Sequence, residues 1–583
     1  MSWPYQKKVK KRTIILTLFS FIWLIGIIFR LVQLQVIDHP RLKENVIDQN
    51  RDIITILPKR GTIYDRRGAI LARSIPSYSV YYHPDKKEPV RLQLQKIDKL
   101  KRLLNLSDAN LKTIKERIRK NAPFIWIKRK IDSTKVQKVR ELCLNGIHFF
   151  EENKRFYPQG KRASFLLGRV DIDGTGQSGI ERAYNSALSG RKGKRLILRD
   201  AKQREYHFEI IEEPKPGTDM ILTIDETIQY IAEKELERTV AEKKAKWGTV
   251  IINEPSSGEI LAMASCPSYD LNNLPSNPMK LDRNPAIHFL FDPGSTFKII
   301  TFAAALESES IDFSEEFDCS PGFIPVAGKK FRDHKKFGIL SFPEIIIHSS
   351  NVGTIQVGQR VGRKRLYQTI KAFGFGQATG IDLPAEERGI FRSITSWSKL
   401  SMASLSIGYE ISVTAIQMLQ AINAVANGGV VTPPRIAKKI LNSSAWHKSD
   451  PPRLRRVISE ETARILSAFL EKVVEEGTGQ AARIKGYRII GKTGTAQKFD
   501  PSLKAYTSSS HISSFAGFVL IDKPVFSMIV VIDDPQGQYY GGQVAAPLFR
   551  NIALRLLQYL RIPPQDSVPR TIITAQTWRS FQR

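Results

Sequence analysis

Cysteine is almost missing from this chain. Cys143, Cys266 and Cys319 are odd in number and far apart, with neither metal-ligand nor C-x-x-C spacing. That disfavours a disulfide framework and a zinc site, although a bridge between two of them stays open in an oxidising compartment. Internal repeats and low-complexity tracts are missing too, which excludes solenoids and arrays. Acidic residues are outnumbered, 57 Asp and Glu against 89 Lys and Arg, and the net charge of +32 asks for an anionic partner. No zinc knuckle, aromatic-rich RNA-binding signature or long basic arm is present, so nucleic acid is the weaker candidate. An anionic membrane or surface polymer serves equally well. What is there in quantity is ordinary globular material, 42% hydrophobic and 25% charged over 583 residues, enough for two or more domains.

Long apolar runs are scarce, with one exception. Lys7, Lys8, Lys10, Lys11 and Arg12 precede an uncharged, mostly apolar run from Thr13 to Phe29; Arg30 interrupts it, and LVQLQVI carries it to Ile37. A helix rising about 1.5 Å per residue crosses a hydrocarbon core of about 30 Å over that length, with Arg30 snorkelling outward. The basic flank predicts the N-terminus inside. No small-x-small site follows, so an uncleaved single-pass anchor over 13–37 is favoured over a cleaved signal peptide, with 1–12 as a cytoplasmic tail. The rest is expected to be a soluble extracytoplasmic body.

Residues 38–215 open with a polar, helical-looking stretch, HPRLKENVIDQNRD. Short strand-like pieces follow, punctuated by Arg60-Gly61 and Arg67-Gly68, then a charge-rich segment with helical periodicity over 90–145. The pattern changes near Pro216. GTDMILTID reads as a strand, ETIQYIAEKELERTVAEKKA as an amphipathic helix, and GTVIINEPSSGEILAMAS as a hairpin. From 216 to 570 the chain reads as one α+β domain, with helices near 296–307, 343–348, 364–372, 412–426 and 460–475. Strands are expected near 487–497, 512–520 and 525–533, and 571–583 as a polar tail.

FDPGSTFKII holds Ser295 and Lys298 at the spacing Ser-x-x-Lys. Alone this is weak, because Ser295 reads as a helix N-cap and the same spacing recurs at Ser396 and Lys399, where a surface accident suffices. Its company strengthens it. Ser349-Ser350-Asn351 follows EIIIH, and Lys492-Thr493-Gly494-Thr495 lies in the strand-like RIIGKTGTAQK. A serine hydroxyl needs a neighbouring base to become a nucleophile. Lysine serves only when neutral, and both burial and a second cation, which Lys492 can supply, lower its pKa from about 10.4. Residues i and i+3 share one helix face, and the helix start offers the Ser295 N–H to a developing oxyanion. Ser349 suits a proton relay and Asn351 a donor to a substrate carbonyl. Lys492, Thr493 and Thr495 suit a substrate carboxylate; Gly494 permits close approach, and the Thr495 N–H completes the oxyanion hole. No metal or cofactor is implied. Plainer roles suit His511 (structural), Cys266 (core) and Arg60, Asp65 and Arg66 (ion pairs and turns).

These three motifs are the set known from serine β-lactamases and penicillin-binding proteins. Over nearly its whole length the chain resembles a class B penicillin-binding protein. RGTIYDRRGAILA, RFYP and GQSGIERAYNSALSG resemble that family's non-catalytic, dimerisation-like pedestal; FGFGQATGIDLPAEERG, SVTAIQM and VAAPLF resemble its transpeptidase domain. HISSFAGF, at 511–518, is similar to the division-specific, FtsI-type branch, and no glycosyltransferase-like module or terminal PASTA-like repeat is seen. Asp292 stands where the family usually has Glu, and RNPAIHFL departs from its usual stretch. The resemblance implies a transpeptidase domain with an antiparallel sheet flanked by helices. It also implies a serine acyl-enzyme on peptidoglycan strands with D-Ala-D-Ala stems, acylation by β-lactams, and a place at the septum of the inner membrane. The partners implied are a division glycosyltransferase and divisome membrane proteins. Rival readings are a D,D-carboxypeptidase or β-lactamase, and a penicillin-binding sensor or division scaffold without catalysis.

Overall fold

The computed structural model describes residues 3–39, 51–85, 87–199, 205–275, 277–442, 445–448, 453–500, 502 and 505–565. Most of the polar stretch after the apolar run and all of the expected tail at 571–583 lie outside these residues.

Compactness divides the chain into two units, 1–59 with 190–216, and 60–189 with 217–583. The first holds helix α1, Trp3–Val32, which continues through a wider turn over Gln33–Ile37. Its apolar part, Val9–Ile37, is 29 residues long with a mean hydropathy of 2.4 and none of it buried, long enough to cross a membrane. Thr13, Thr17 and Ser20 return their hydroxyls to the carbonyls four residues back, at 2.8–2.9 Å, which hides their polarity from a lipid surround. The same unit holds three antiparallel strands, Arg51–Ile56, Gly193–Arg199 and Glu205–Glu212, the second of them central.

In the second unit, a seven-stranded sheet joins segments far apart in the chain. Ile63–Tyr64 lies between Ile70–Tyr82 and Met220–Leu222, and Ala437–Asn442 pairs with the far side of Met220–Leu222. Ile125–Ile131 and Ile147–Phe156 flank the long strand Ile70–Tyr82. The segment 90–145 is therefore not wholly helical. Helices Val90–Leu103 and Asp108–Arg119 are followed by strand Ile125–Ile131, whose Ile125, Ile127 and Ile131 point inward, and only then by helix Ser133–Glu141. The buried Glu181 carboxylate takes Arg60 Nε and Arg155 Nε, each at 2.6 Å. Asp65 accepts from the Arg67, Ala69 and Glu226 amides, and Arg66 reaches Glu259 at 3.5 Å. Arg60, Asp65 and Arg66 thus hold turns and buried ion pairs. All three cysteines are free.

The rest of the unit is layered. In chain order come α2 (Glu226–Glu242), strands β1 (Trp247–Asn253) and β2 (Ile260–Cys266), then helices α3 (Lys298–Glu307), α4 (Phe342–His348) and α5 (Asn351–Val361). They are followed by α6 (Ala415–Ala426), α7 (Glu460–Glu475), strands β3 (Arg488–Asp500), β4 (Ala505–Leu520) and β5 (Pro524–Asp533), and α8 (Ala545–Tyr559). The strands form an antiparallel sheet in the order β2-β1-β5-β4-β3. Strand alternation sends Val250 and Ile252 to the layer of α2 and α8, and Ile251 to the layer of α3 and α6. The catalytic candidates gather where α3, α5 and the edge strand β3 converge.

Candidate functional site

Ser295 lies inside a tight 3₁₀ turn, Gly294–Phe297, and Lys298 is the first residue of α3. The N-cap reading is therefore corrected: no side chain caps here, and it is the Thr296 hydroxyl that closes the turn, onto Pro293 O at 2.7 Å. Gly294 has φ +54°, and a Cβ there would stand 2.9 Å from Thr495 O on β3. Gly494 is as constrained, since a Cβ would meet Ser514 Oγ at 2.3 Å and Thr296 Cγ2 at 2.9 Å. Glycine on both sides lets the turn and the strand touch backbone to backbone.

Lys298 is fully buried beside the partly exposed Ser295. Its Nζ donates to Ser349 O at 2.7 Å, Asn351 Oδ1 at 2.9 Å and Ser350 O at 3.2 Å, and lies 3.3 Å from Ser349 Oγ. Burial lowers its amine to about 7, against the opposing pull of Asp333. Lys492, also fully buried, donates to Ser349 Oγ at 2.9 Å and to Thr493 O at 3.1 Å. Burial, then the neighbouring Lys298, hold its amine well below the usual lysine range. Of the two influences expected to lower Lys298, burial and a second cation, it is burial that does so. Both amines converge on one hydroxyl. Ser349 holds it there in the left-handed region, φ 60° and ψ 36°, at the end of α4, a strained conformation for a side-chain-bearing residue.

Asn351 opens α5. Its Oδ1 faces Lys298 and its Nδ2 donates to Arg332 O at 2.8 Å, so its carboxamide is engaged by the protein. Asp333, which sequence reasoning missed, receives the Asn351 amide, the Val352 amide at 3.1 Å and Ser350 Oγ at 2.8 Å. A carboxylate at a helix N-terminus satisfies orphan amides and opposes the dipole's positive end. Nothing local marked it, because its partners lie 17 to 19 residues on.

On β3, Thr493 Oγ1 shares a hydrogen bond with Thr478 Oγ1 at 2.9 Å, and Thr495 Oγ1 accepts from Gly541 N at 2.9 Å. Thr478 is a second residue that sequence reasoning missed. Ser295, Ser349, Asn351, Thr493 and Thr495 line one cleft of about 900 Å³. His511 lines it too, stacked on Tyr539 with ring centroids 4.0 Å apart. Just before the turn, Asp292 accepts from Tyr506 Oη at 2.6 Å and Ser412 Oγ at 3.0 Å, while burial pushes its carboxyl up. Ser396, by contrast, bonds back to Ser393 O on an exposed turn. Among the described residues, no group of three metal-ligating side chains forms.

The family model for the penicillin-binding protein transpeptidase domain matches residues 248–554, and that for the penicillin-binding protein dimerisation domain matches 55–222. The chain is a class B penicillin-binding protein. Stage V sporulation protein D of Bacillus subtilis is 35% identical to it, with 96% of this chain and 87% of that protein covered. Peptidoglycan D,D-transpeptidase FtsI of Escherichia coli is 31% identical, with 92% and 89% covered. A crystal structure of penicillin-binding protein 3 from Mycobacterium tuberculosis complexed with aztreonam superimposes with a TM-score of 0.68 at 26% identity. It covers 90% of this penicillin-binding protein and all of that chain. The antiparallel transpeptidase sheet flanked by helices and the N-terminal apolar helix are those expected of the family.

Proposed function

We propose that this penicillin-binding protein cross-links peptidoglycan stem peptides through an acyl-enzyme on Ser295. Ser295 Oγ attacks the carbonyl carbon of the penultimate D-Ala, and its proton passes to neutral Lys298. The C–N bond then breaks, and the proton travels through Ser349 to the departing D-Ala amine. An acceptor amine attacks the acyl carbon, the C–O bond breaks, and Ser295 recovers a proton. The Thr493 and Thr495 hydroxyls take the terminal carboxylate with Lys492 behind them, which gains a proton as the anion arrives. The Ser295 and Thr495 amides take the oxyanion; such a donor is worth about 10²–10³-fold in rate. For Asn351 the carbonyl-donor role is kept only with its Nδ2 released from Arg332. The observation that carries this reading is the pair of buried, pKa-lowered lysines meeting on Ser349 at the wall of the cleft that holds Ser295.

The resemblance of HISSFAGF to the division-specific, FtsI-type branch extends the proposal to cell division. We place 38–215 as a pedestal, 216–570 as the catalytic half and 13–37 as an anchor with its N-terminus inside, so that catalysis is extracytoplasmic and at the septum. A division glycosyltransferase and divisome membrane proteins are the proposed partners. Fluorescent-penicillin labelling, with mass spectrometry of the adduct, tests the nucleophile: the wild type labels on Ser295 and Ser295→Ala does not. Equal labelling of both proteins sinks the assignment. Rapid nitrocefin turnover would favour a hydrolase, and rescue of a depletion strain by Ser295→Ala would favour a scaffold.

A further inference from the structure

One wall of the cleft is a hairpin, Phe323–Val326 paired with Lys329–Arg332, tied to α5 by the Asn351–Arg332 hydrogen bond. The second strand and the turn after it read Lys329-Lys330-Phe331-Arg332-Asp333-His334-Lys335-Lys336. Lys329, Lys330 and Arg332 are exposed and line the same cleft as Ser295. Among the described residues, none of the three pairs with a carboxylate. They lie instead over aromatic rings: Lys329 Nζ is 5.2 Å from the Phe331 centroid, Lys330 Nζ 4.7 Å from Phe323, and the Arg332 guanidinium 5.9 Å from Phe323. Ring faces steady long cationic side chains but do not cancel their charge.

The acids nearby are already committed. Glu410, the carboxylate among the cleft-lining residues, is bound by Arg392 and Ser401. Asp333 holds the start of α5. His334 adds nothing in either sense, since burial and then Lys298 push it towards the neutral form. The cleft therefore offers a substrate three uncompensated cations on one wall, and a concave site focuses that field. The terminal D-Ala carboxylate is provided for on β3, so the hairpin asks for a second anionic group.

We propose that the donor stem peptide carries a free carboxylate upstream of its D-Ala-D-Ala end, and that Lys329, Lys330 and Arg332 select it over an amide. This rests on the transpeptidase reading above. Two parts of a stem can supply the group: the α-carboxylate of a γ-linked acidic residue, or the side-chain carboxylate of a diamino diacid. Exposed ion pairs are individually weak, and three acting together give a preference of roughly tenfold.

Carbenicillin and benzylpenicillin, which differ by one side-chain carboxylate, read this directly. The ratio of their acylation rates on the full chain falls about tenfold in the triple variant Lys329→Gln, Lys330→Gln, Arg332→Gln. A ratio unchanged within about twofold overturns the proposal. A second measurement needs no variant: in the wild type the ratio falls as NaCl rises from about 0.05 M to about 0.5 M, and a ratio indifferent to salt overturns it. Synthetic D-Ala-D-Ala pentapeptides competing with fluorescent penicillin then locate the group. Weaker competition on amidating the second residue assigns the α-carboxylate, and on amidating the third the diacid; no loss from either overturns the proposal. Failure of both penicillins to label Ser295 would sink the transpeptidase reading itself, and this inference with it.

Discussion

On the proposed mechanism, Lys298 sets the pH dependence. With its amine lowered to about 7, the base is mostly protonated at pH 6 and mostly neutral at pH 8. The acylation rate at limiting penicillin should therefore climb about tenfold per pH unit below 7 and level off above it, which stopped-flow labelling across that range checks. Stability follows the same shift with a defined sign. Between about 7 and the unfolded value near 10.4, the unfolded chain binds a proton on Lys298 that the folded chain does not, so raising pH favours folding. The wild type should gain on Lys298→Met by about 1 kcal/mol per pH unit over that window, read by urea unfolding. A second residue-scale prediction concerns Gly494→Ala, whose Cβ would collide with Ser514 Oγ and the catalytic turn. Overpacking of this kind costs about 1–3 kcal/mol, and it should also abolish labelling because β3 is pushed off the turn. Ser295, Lys298, Ser349 and Lys492 were legible as a set because three motifs recur at ordered positions. Asp333 and Thr478 were not, because each earns its place only by folding against a distant partner.

Among elements, α5 shows what sequence pattern conceals. NVGTIQVGQRV carries two glycines and several β-branched residues, which read poorly as a helix. The glycines are there for close approach: a Cβ on Gly353 would stand 2.7 Å from Ile345 Cγ1, and one on Gly358 2.1 Å from Ser406 Oγ. Tertiary contact thus decides the element against its local propensity. The helix α8 was missed for a simpler reason, since Pro547 in its first turn looks like a breaker but sits where no amide is required. Strand β5 was legible because VFSMIVVI is apolar but for one serine and is bounded by turn signals, whereas β4 starts at Ala505 rather than near 512, in a polar stretch, YTSSSH, that no apolar pattern marks. The start of α5 gives the element-scale prediction. Asp333→Asn should cost about 1–2 kcal/mol by weakening the hold on its amides. Because Asp333 also pulls the Lys298 amine upward, the variant should move the rising limb of the pH–rate profile to lower pH. An unmoved limb would separate Asp333 from the base.

At the scale of the molecule, the apolar helix predicts that the full chain floats with anionic vesicles, whereas deletion of 1–37 leaves it in the soluble fraction with penicillin labelling retained. Flotation followed by gel fluorescence checks both. The change of pattern near Pro216 was visible in the sequence, yet compactness groups 60–189 with 217–583, because strands pair without regard to such changes. That pairing bears on how the protein is made. Ile63–Tyr64 and Met220–Leu222 share a sheet with Ala437–Asn442, so a nascent chain emerging from its N-terminus must keep early strand edges unpaired until residues near 440 arrive. Contacts this distant in sequence form slowly, and open edges invite wrong partners meanwhile. The order in which the segments emerge, as much as the final fold, thus sets how long the unfinished sheet must be guarded.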